Sequence, residues 1–106
     1  GAVNDGVFAS RTEKVPVIPT EFSLTQNYPN PFNPATSIDF GLPENSEVTI
    51  TVYNVLGQVV TELVNGELNA GYHKVTWDAS NMASGVYFYR IAAGDFNATK
   101  RMVLMK

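Results

Sequence analysis

The segment Gln26–Pro34, with the sequence QNYPNPFNP, restricts the possible fold of this chain more than any other feature. Its nine residues interleave three prolines with three asparagines, and two aromatic residues lie among them. Proline fixes φ, lacks an N–H donor and biases the preceding residue towards extended backbone. These properties exclude a helix or a central strand, so the segment predicts a rigid, extended or turning element at the edge of a domain.

The side chains of this segment suggest how it is held in place. Asparagine side chains can hydrogen-bond neighbouring backbone groups and so cap turns, and Phe32 can anchor the segment over one end of the domain. We therefore predict a structural role for the residues Asn27, Pro29, Asn30, Pro31, Phe32, Asn33 and Pro34.

The rest of the chain predicts strands. Val48, Ile50 and Val52 alternate with polar residues, which indicates a strand with one buried face. Similar short runs recur at spacings of roughly 8–14 residues, and no run keeps a helical period. This pattern predicts an all-β fold, an immunoglobulin-like antiparallel β-sandwich of about seven strands.

Three predicted strands carry further detail. The run His73, Val75 and Trp77 places Trp77 in or beside the core, and Tyr87 is also expected to fill the core. The dipeptide Asn65–Gly66 is a strong turn signal and predicts that the fourth strand, 59–64, ends there.

Length and composition predict one domain without covalent cross-links. The chain has 106 residues and no cysteine, which excludes disulfides and thiolate metal sites. Five of the six prolines lie between Pro16 and Pro34, and residues 1–20 show no apolar period. We predict a linker at residues 1–20 and one sandwich domain at residues 21–106, as the C-terminal piece of a longer protein.

The charge distribution separates the tail from the rest of the chain. A net charge of −3 gives no reason to expect nucleic acid as a partner. Lys100, Arg101 and Lys106 lie in the last seven residues, whereas the rest of the chain has four basic and ten acidic residues. A basic tail on an acidic body is compatible with a recognition mark, but physical reasoning alone favours an ordinary edge strand that lysines guard against aggregation.

Enzymatic chemistry has little support in the sequence. The single histidine, His73, alternates with apolar residues, and Asp78 is badly placed to orient it as a catalytic base. We therefore expect no catalytic residue, no metal site and no cofactor. Tyr28 and Tyr72 stay open as sugar-stacking residues, because exposed aromatics on a sandwich suit carbohydrate binding.

Seven short motifs along the chain follow one family order. The motifs are QNYPNPFNP, TSIDFGLPE from Thr36, NVLGQ from Asn54, AGYH from Ala70, VTWDA from Val75, ASGVY from Ala83 and the terminal KRMVLMK. With these motifs, the chain resembles the type A C-terminal sorting domains that the type IX secretion system of Bacteroidota-like bacteria recognises, over about residues 20–106. The pattern is also similar to immunoglobulin-like domains of flagellar hook-capping proteins.

The resemblance implies a function in export. It implies recognition by the type IX machinery, a larger cargo upstream and passage through the periplasm and outer membrane to the cell surface or medium. It also implies a sortase-type surface protease that cuts upstream, and release of the cargo or its attachment to surface lipopolysaccharide. The residues carried over as recognition elements are Gly85, Tyr87, Lys100, Arg101, Met102, Val103, Leu104, Met105 and Lys106. The alternative is a carbohydrate-binding or purely structural accessory module of a secreted enzyme.

Overall fold

The structure, a computed structural model, describes residues 18–106, so the predicted linker lies almost wholly outside the described residues. Seven antiparallel strands make up the described part of the chain. They are β1 (Ser23–Leu24), β2 (Ala35–Leu42), β3 (Ser46–Tyr53), β4 (Val59–Leu68), β5 (Gly71–Asp78), β6 (Gly85–Ala93) and β7 (Phe96–Leu104). In this part of the chain, no helix has the length and apolarity needed to cross a membrane.

The strands form two sheets, which confirms the predicted all-β sandwich. One sheet has the order β1–β2–β5, and the other has the order β4–β3–β6–β7. The fourth strand pairs with the third and not with the fifth, so the strand order differs from that of constant-type immunoglobulin domains. The last strand, β7, therefore lies at an edge of the four-stranded sheet.

Alternation along the strands builds the core between the sheets. Val48, Ile50 and Val52 of β3 are fully buried, as their period of two predicts. The largest buried cluster combines residues from both sheets and from the segment before β2. Its members are Phe32, Ile38, Val52, Trp77, Ala79, Tyr87, Tyr89, Met102 and Leu104.

Trp77 lies in this cluster, as predicted, with 6% of its surface exposed. Its ring centroid is 5.4 Å from that of Tyr87 in an edge-on arrangement and 5.7 Å from that of Phe32. Such tilted and edge-on contacts suit the charge distribution of aromatic rings. The aromatic group therefore joins three separate parts of the chain: the segment before β2, the end of β5 and the start of β6.

The predicted turn at Asn65–Gly66 is wrong. Strand β4 continues through these residues to Leu68, with Gly66 paired to Val48. Leu68 packs against a second core cluster, which includes Val48 and Ile50 of β3. The long strand β3 also offers hydrogen bonds along this whole stretch. Pairing and burial outweigh the local turn preference of the dipeptide, and the chain turns at Asn69 and Ala70 instead.

Candidate recognition site at the C-terminal strand

The β6–β7 hairpin brings the two predicted recognition segments together. Gly85 pairs with Leu104, and Tyr87 pairs with Met102. The turn between the two strands is Gly94–Asp95. Residues separated by 15 and 19 positions in the sequence thus lie side by side at one end of the four-stranded sheet.

Burial divides these residues into three groups. Tyr87, Met102 and Leu104 belong to the core and expose 6%, 0% and 1% of their surface. Arg101 and Lys106 are exposed, and Met105 exposes 59% of its surface. The remaining three, Gly85, Lys100 and Val103, are half-buried. A partner of the folded domain can therefore touch only some of the predicted residues.

The proline- and asparagine-rich segment covers the outer edge of β7. The Phe32 N–H donates to the Val103 carbonyl, and the Phe32 carbonyl accepts from the Met105 N–H, each at 2.9 Å. The Val103 N–H donates to the Asn30 side-chain oxygen at 3.0 Å. The Gln26 side chain donates to the Arg101 carbonyl at 2.6 Å. Main-chain groups that an edge strand usually leaves to solvent are thus satisfied from residue 101 to residue 105.

A buried asparagine, Asn27, also holds this segment in place. Asn27 exposes 2% of its surface, and its amide donates to the Pro29 carbonyl at 3.1 Å and to the Thr36 hydroxyl at 3.0 Å. Thr36 in turn donates to the Pro29 carbonyl at 2.9 Å. The peptide bonds before Pro29, Pro31 and Pro34 are cis. Asn27 thus links the backbone of this segment to Thr36 of β2.

Tyr89 ties the start of this segment to the core. Its ring is fully buried, and its hydroxyl donates to the Thr25 carbonyl at 2.6 Å. Burial disfavours the charged phenolate and raises the pKa of the Tyr89 hydroxyl to about 12.

Lys106 is bound to the loop between β5 and β6. Its ammonium donates to the carbonyl oxygens of Ser80 and Met82, each at 2.7 Å, and its main-chain N–H donates to the Ser84 hydroxyl at 3.0 Å. The last residue of the chain therefore closes this loop against the end of β7. Its ammonium keeps its full charge but is fixed in position by these two carbonyl oxygens.

The β5–β6 loop is also held at its two ends. The Ser80 hydroxyl and main-chain N–H both donate to the Asp78 carboxylate, and these bonds lower the pKa of that carboxyl. The Tyr87 hydroxyl donates to the Ala83 carbonyl at 2.7 Å. Gly85 follows with φ of 152°, a value that side chains disfavour. This glycine therefore lets the loop enter β6 without strain.

The His73 ring makes packing and hydrogen-bond contacts within the three-stranded sheet and the loop before β5. The ring stacks on Phe40 with centroids 5.3 Å apart, and its Nε2 lies 2.8 Å from the Asn69 carbonyl oxygen. Among residues 18–106, no three His, Cys, Asp or Glu side chains are grouped to hold a metal ion.

Several contributors to this site carry no recognisable signal in the sequence. Gln26 belongs to the QNYPNPFNP motif, but nothing in that motif indicates that its side chain binds the Arg101 carbonyl. The carbonyls of Ser80 and Met82, which hold Lys106, have no sequence signal because any residue supplies a carbonyl. The cover over β7 joins residues 73 positions apart, so no local pattern points to it.

Comparison with known proteins identifies the family. The profile of the secretion system C-terminal sorting domain matches residues 26–105. The crystal structure of dimeric latent PorU from Porphyromonas gingivalis is similar in fold, with a TM-score of 0.62 and 14% sequence identity. The match covers 80% of this chain and 9% of that chain, so this chain spans a small part of PorU. No curated protein matches the chain. Because the profile covers most of its length, the chain belongs to the family of secretion system C-terminal sorting domains, which direct cargo to the cell surface or medium by type IX secretion.

Proposed function

We propose that this domain is the folded export signal of a larger cargo protein, and that the type IX machinery reads the end of β7 together with the start of β6. The observation that supports this most is the hairpin pairing of Gly85 with Leu104, which places both predicted recognition segments at one end of the sheet. The solvent-exposed side chains there are basic or apolar, on a chain whose net charge is negative.

The hydrogen bonds of Phe32 and Asn30 to the outer edge of β7 limit how a partner can recognise the tail. Strand addition along residues 101–105 would require the Phe32 segment to leave, because Phe32 and Asn30 already use those main-chain groups. Reading by side chains needs no such displacement. We assign this contact to Arg101, Val103, Met105 and Lys106, with Tyr87, Met102 and Leu104 acting through the fold.

The remaining steps follow from the family resemblance. The cargo crosses the periplasm and the outer membrane, and a sortase-type surface protease cuts upstream of the sandwich. The sequence before the sandwich contains Pro16 and Pro19, and connecting segments outside a folded domain are common sites of proteolysis, which favours a cut before the domain. The cargo is then released or joined to surface lipopolysaccharide. The domain is a substrate of this chemistry and has no catalytic activity of its own.

The test uses the complete chain fused behind a signal peptide and a fluorescent cargo, in a host with the type IX machinery. Removing the last seven residues is unsuitable, because Met102 and Leu104 are core residues and the domain would lose stability. We would instead combine Arg101→Glu, Met105→Ser and Lys106→Ser, which keep the core intact.

The matched control combines Lys74→Glu with Tyr72→Ser on the other sheet, where both side chains are exposed. We expect the control to reach the surface or medium and the tail variant to stay in the periplasm, with both proteins folded by circular dichroism. Normal export of the folded tail variant would show that the tail side chains are not the signal.

A second candidate function, carbohydrate binding, is favoured by one specific observation. Tyr28 and Tyr72 expose 81% and 64% of their surface. Tyr28 pairs with Ser37 and Tyr72 pairs with Gly41, and these two β2 residues share the outer face of the three-stranded sheet. The two tyrosines therefore lie on one face, about 17 Å apart from strand spacings.

A shallow depression adjoins one of these tyrosines. It has a volume of about 380 Å³ and is lined by Asp39, Tyr72, His73 and Lys74. The Lys74 Nζ lies 3.9 Å from Oδ1 of Asp39, so the two charges offset each other. A site without net charge suits a neutral sugar. Affinity electrophoresis in gels with soluble polysaccharide tests this candidate: retardation that is lost in Tyr72→Ala supports it, and equal mobility in all gels contradicts it.

A further inference from the structure

The outer face of the four-stranded sheet is apolar at the tail end. Tyr53 pairs with Val59 on one side and with Phe88 on the other, and Phe88 pairs with Arg101. Directly paired residues of antiparallel strands point to the same face. Because the preceding residue Val52 is buried in the core, this row faces outward.

A second row lies closer to the end of the sheet. Val86 pairs with Val103, and both alternate with buried core residues, so they also face outward. Tyr53, Val86, Phe88 and Val103 are half-buried, and Val59 exposes 66% of its surface. An open sheet face normally carries polar residues, so this contiguous apolar group calls for an explanation.

The other half of the same face shows the usual pattern. Its outward positions are mostly polar, namely Thr49, Thr51, Arg90, Asn97 and Thr99. The apolar character is thus confined to the tail end. A general shortage of polar residues in the sheet does not account for it.

A hydrogen-bonded turn adds a further apolar side chain at this end. The side-chain oxygen of Asn54 accepts the N–H groups of Leu56 and Gln58 at 2.9 and 3.0 Å. The amide of Asn54 donates to the Gln58 side chain at 2.8 Å, and the two residues also bond through their main chains at 3.0 Å. Gly57, with φ of 81°, completes the turn. Leu56 is held at its tip with 79% of its surface exposed.

We propose that these residues form a docking surface for a component of the type IX machinery. The tail-end surface comprises Tyr53, Leu56, Val59, Val86, Phe88 and Val103, with Arg101 as its one charged residue. This inference rests on the proposed function. It extends the recognition site beyond the tail, to the turn after β3 and to the outward face of β6.

Two observations favour a component of the type IX machinery as the partner: the surface is continuous with the tail, and its one charged residue is basic. Val103 and Arg101 belong to the tail and to the surface at once, so a partner that reads the tail side chains meets the other residues without rearrangement. A matching partner face is apolar and carries a carboxylate for Arg101. A second copy of this surface offers only another arginine, and like charges across an interface oppose association.

The test replaces exposed residues only. In the complete chain fused to the fluorescent cargo, Leu56→Asp and Val59→Asp put two charges into the surface at positions 79% and 66% exposed. The matched control is Asn97→Asp with Thr99→Asp, which adds the same charges at exposed positions on the polar half of the same face. Unchanged melting temperatures establish that both variants fold. If the double variant melts lower, Leu56→Asp alone, at the turn tip, replaces it.

We expect the surface variant to lose export by about tenfold or more, because buried anchors dominate interface energies, and the control to export like the unchanged chain. Normal export of the surface variant overturns the inference. In that case, a tail variant that still fails to export leaves the proposed function intact, whereas normal export of both contradicts the proposed function too. Sedimentation provides the second readout: a dimer of the unchanged chain that the Asp substitutions disperse, with export intact, assigns the surface to self-association and also overturns it.

Discussion

The N–H of Phe32 donates to the carbonyl of Val103 at 2.9 Å, and this contact joins the opening segment of the domain to its last strand. The ring of Phe32 is simultaneously buried beside Trp77 in the core. One residue therefore fixes the cover over β7 in two ways, through its main chain and through its side chain. The position and shape of the tail depend on a segment some seventy residues earlier.

We expect Phe32→Ala to lower the free energy of unfolding by about 3–5 kcal/mol, because it leaves a cavity in the largest core cluster. Urea denaturation followed by circular dichroism measures the change. Tyr28→Ala, in the same segment but 81% exposed, is the control and should stay within about 0.5 kcal/mol. Equal effects of the two substitutions would show that the Phe32 ring does not anchor the segment.

Trp77→Ala should cost a similar amount, about 3–5 kcal/mol, since the indole fills the space between Phe32 and Tyr87. Chemical denaturation is again the measurement. A loss below about 1 kcal/mol would contradict the placement of this face of β5 in the core.

Gly85→Ala tests the backbone where the β5–β6 loop enters β6. No atom lies within 4 Å of the added methyl group, so any destabilisation comes from the φ of 152° and not from a clash. We expect a loss of about 1–3 kcal/mol. An alanine variant as stable as the unchanged chain would mean that the backbone adapts and that this glycine is not needed for the fold.

Stability should fall in alkali because of Tyr89. Its folded pKa of about 12 lies above the ordinary value of 10.0, so its contribution is complete below pH 10 and is lost as the pH rises through 12. The measurement is the melting temperature between pH 9 and 12, compared with Tyr89→Phe. The phenylalanine variant should lose less stability over this range, and parallel curves would contradict the assignment.

The sandwich and its core were predictable from sequence because burial alternates with period two along each strand. The faces of β3 and the position of Trp77 both follow from this rule. The prediction of a turn at Asn65–Gly66 was wrong because it considered only the local preference of the dipeptide. Pairing with β3 adds hydrogen bonds and burial that keep these residues in the strand.

The candidate site was predictable only in part. The resemblance to the family pointed to Gly85, Tyr87 and the tail. The sequence did not show which of these residues are exposed to solvent. The bond from Lys106 to the Ser80 carbonyl and the bond from Val103 to the Asn30 side chain both join segments that are distant in the sequence. The tail-end surface likewise appears only when the register of β3, β6 and β7 is known.

The most direct test of the central claim is the location of a fluorescent cargo that carries the complete chain at its C-terminus. The fusion, with a signal peptide, is expressed in a host with the type IX machinery and in the same host without it, and fluorescence is measured in periplasm, cell surface and medium. The account predicts cargo outside the first host and cargo retained in the periplasm of the second. The same distribution in both hosts would contradict the claim that this domain is a type IX sorting signal.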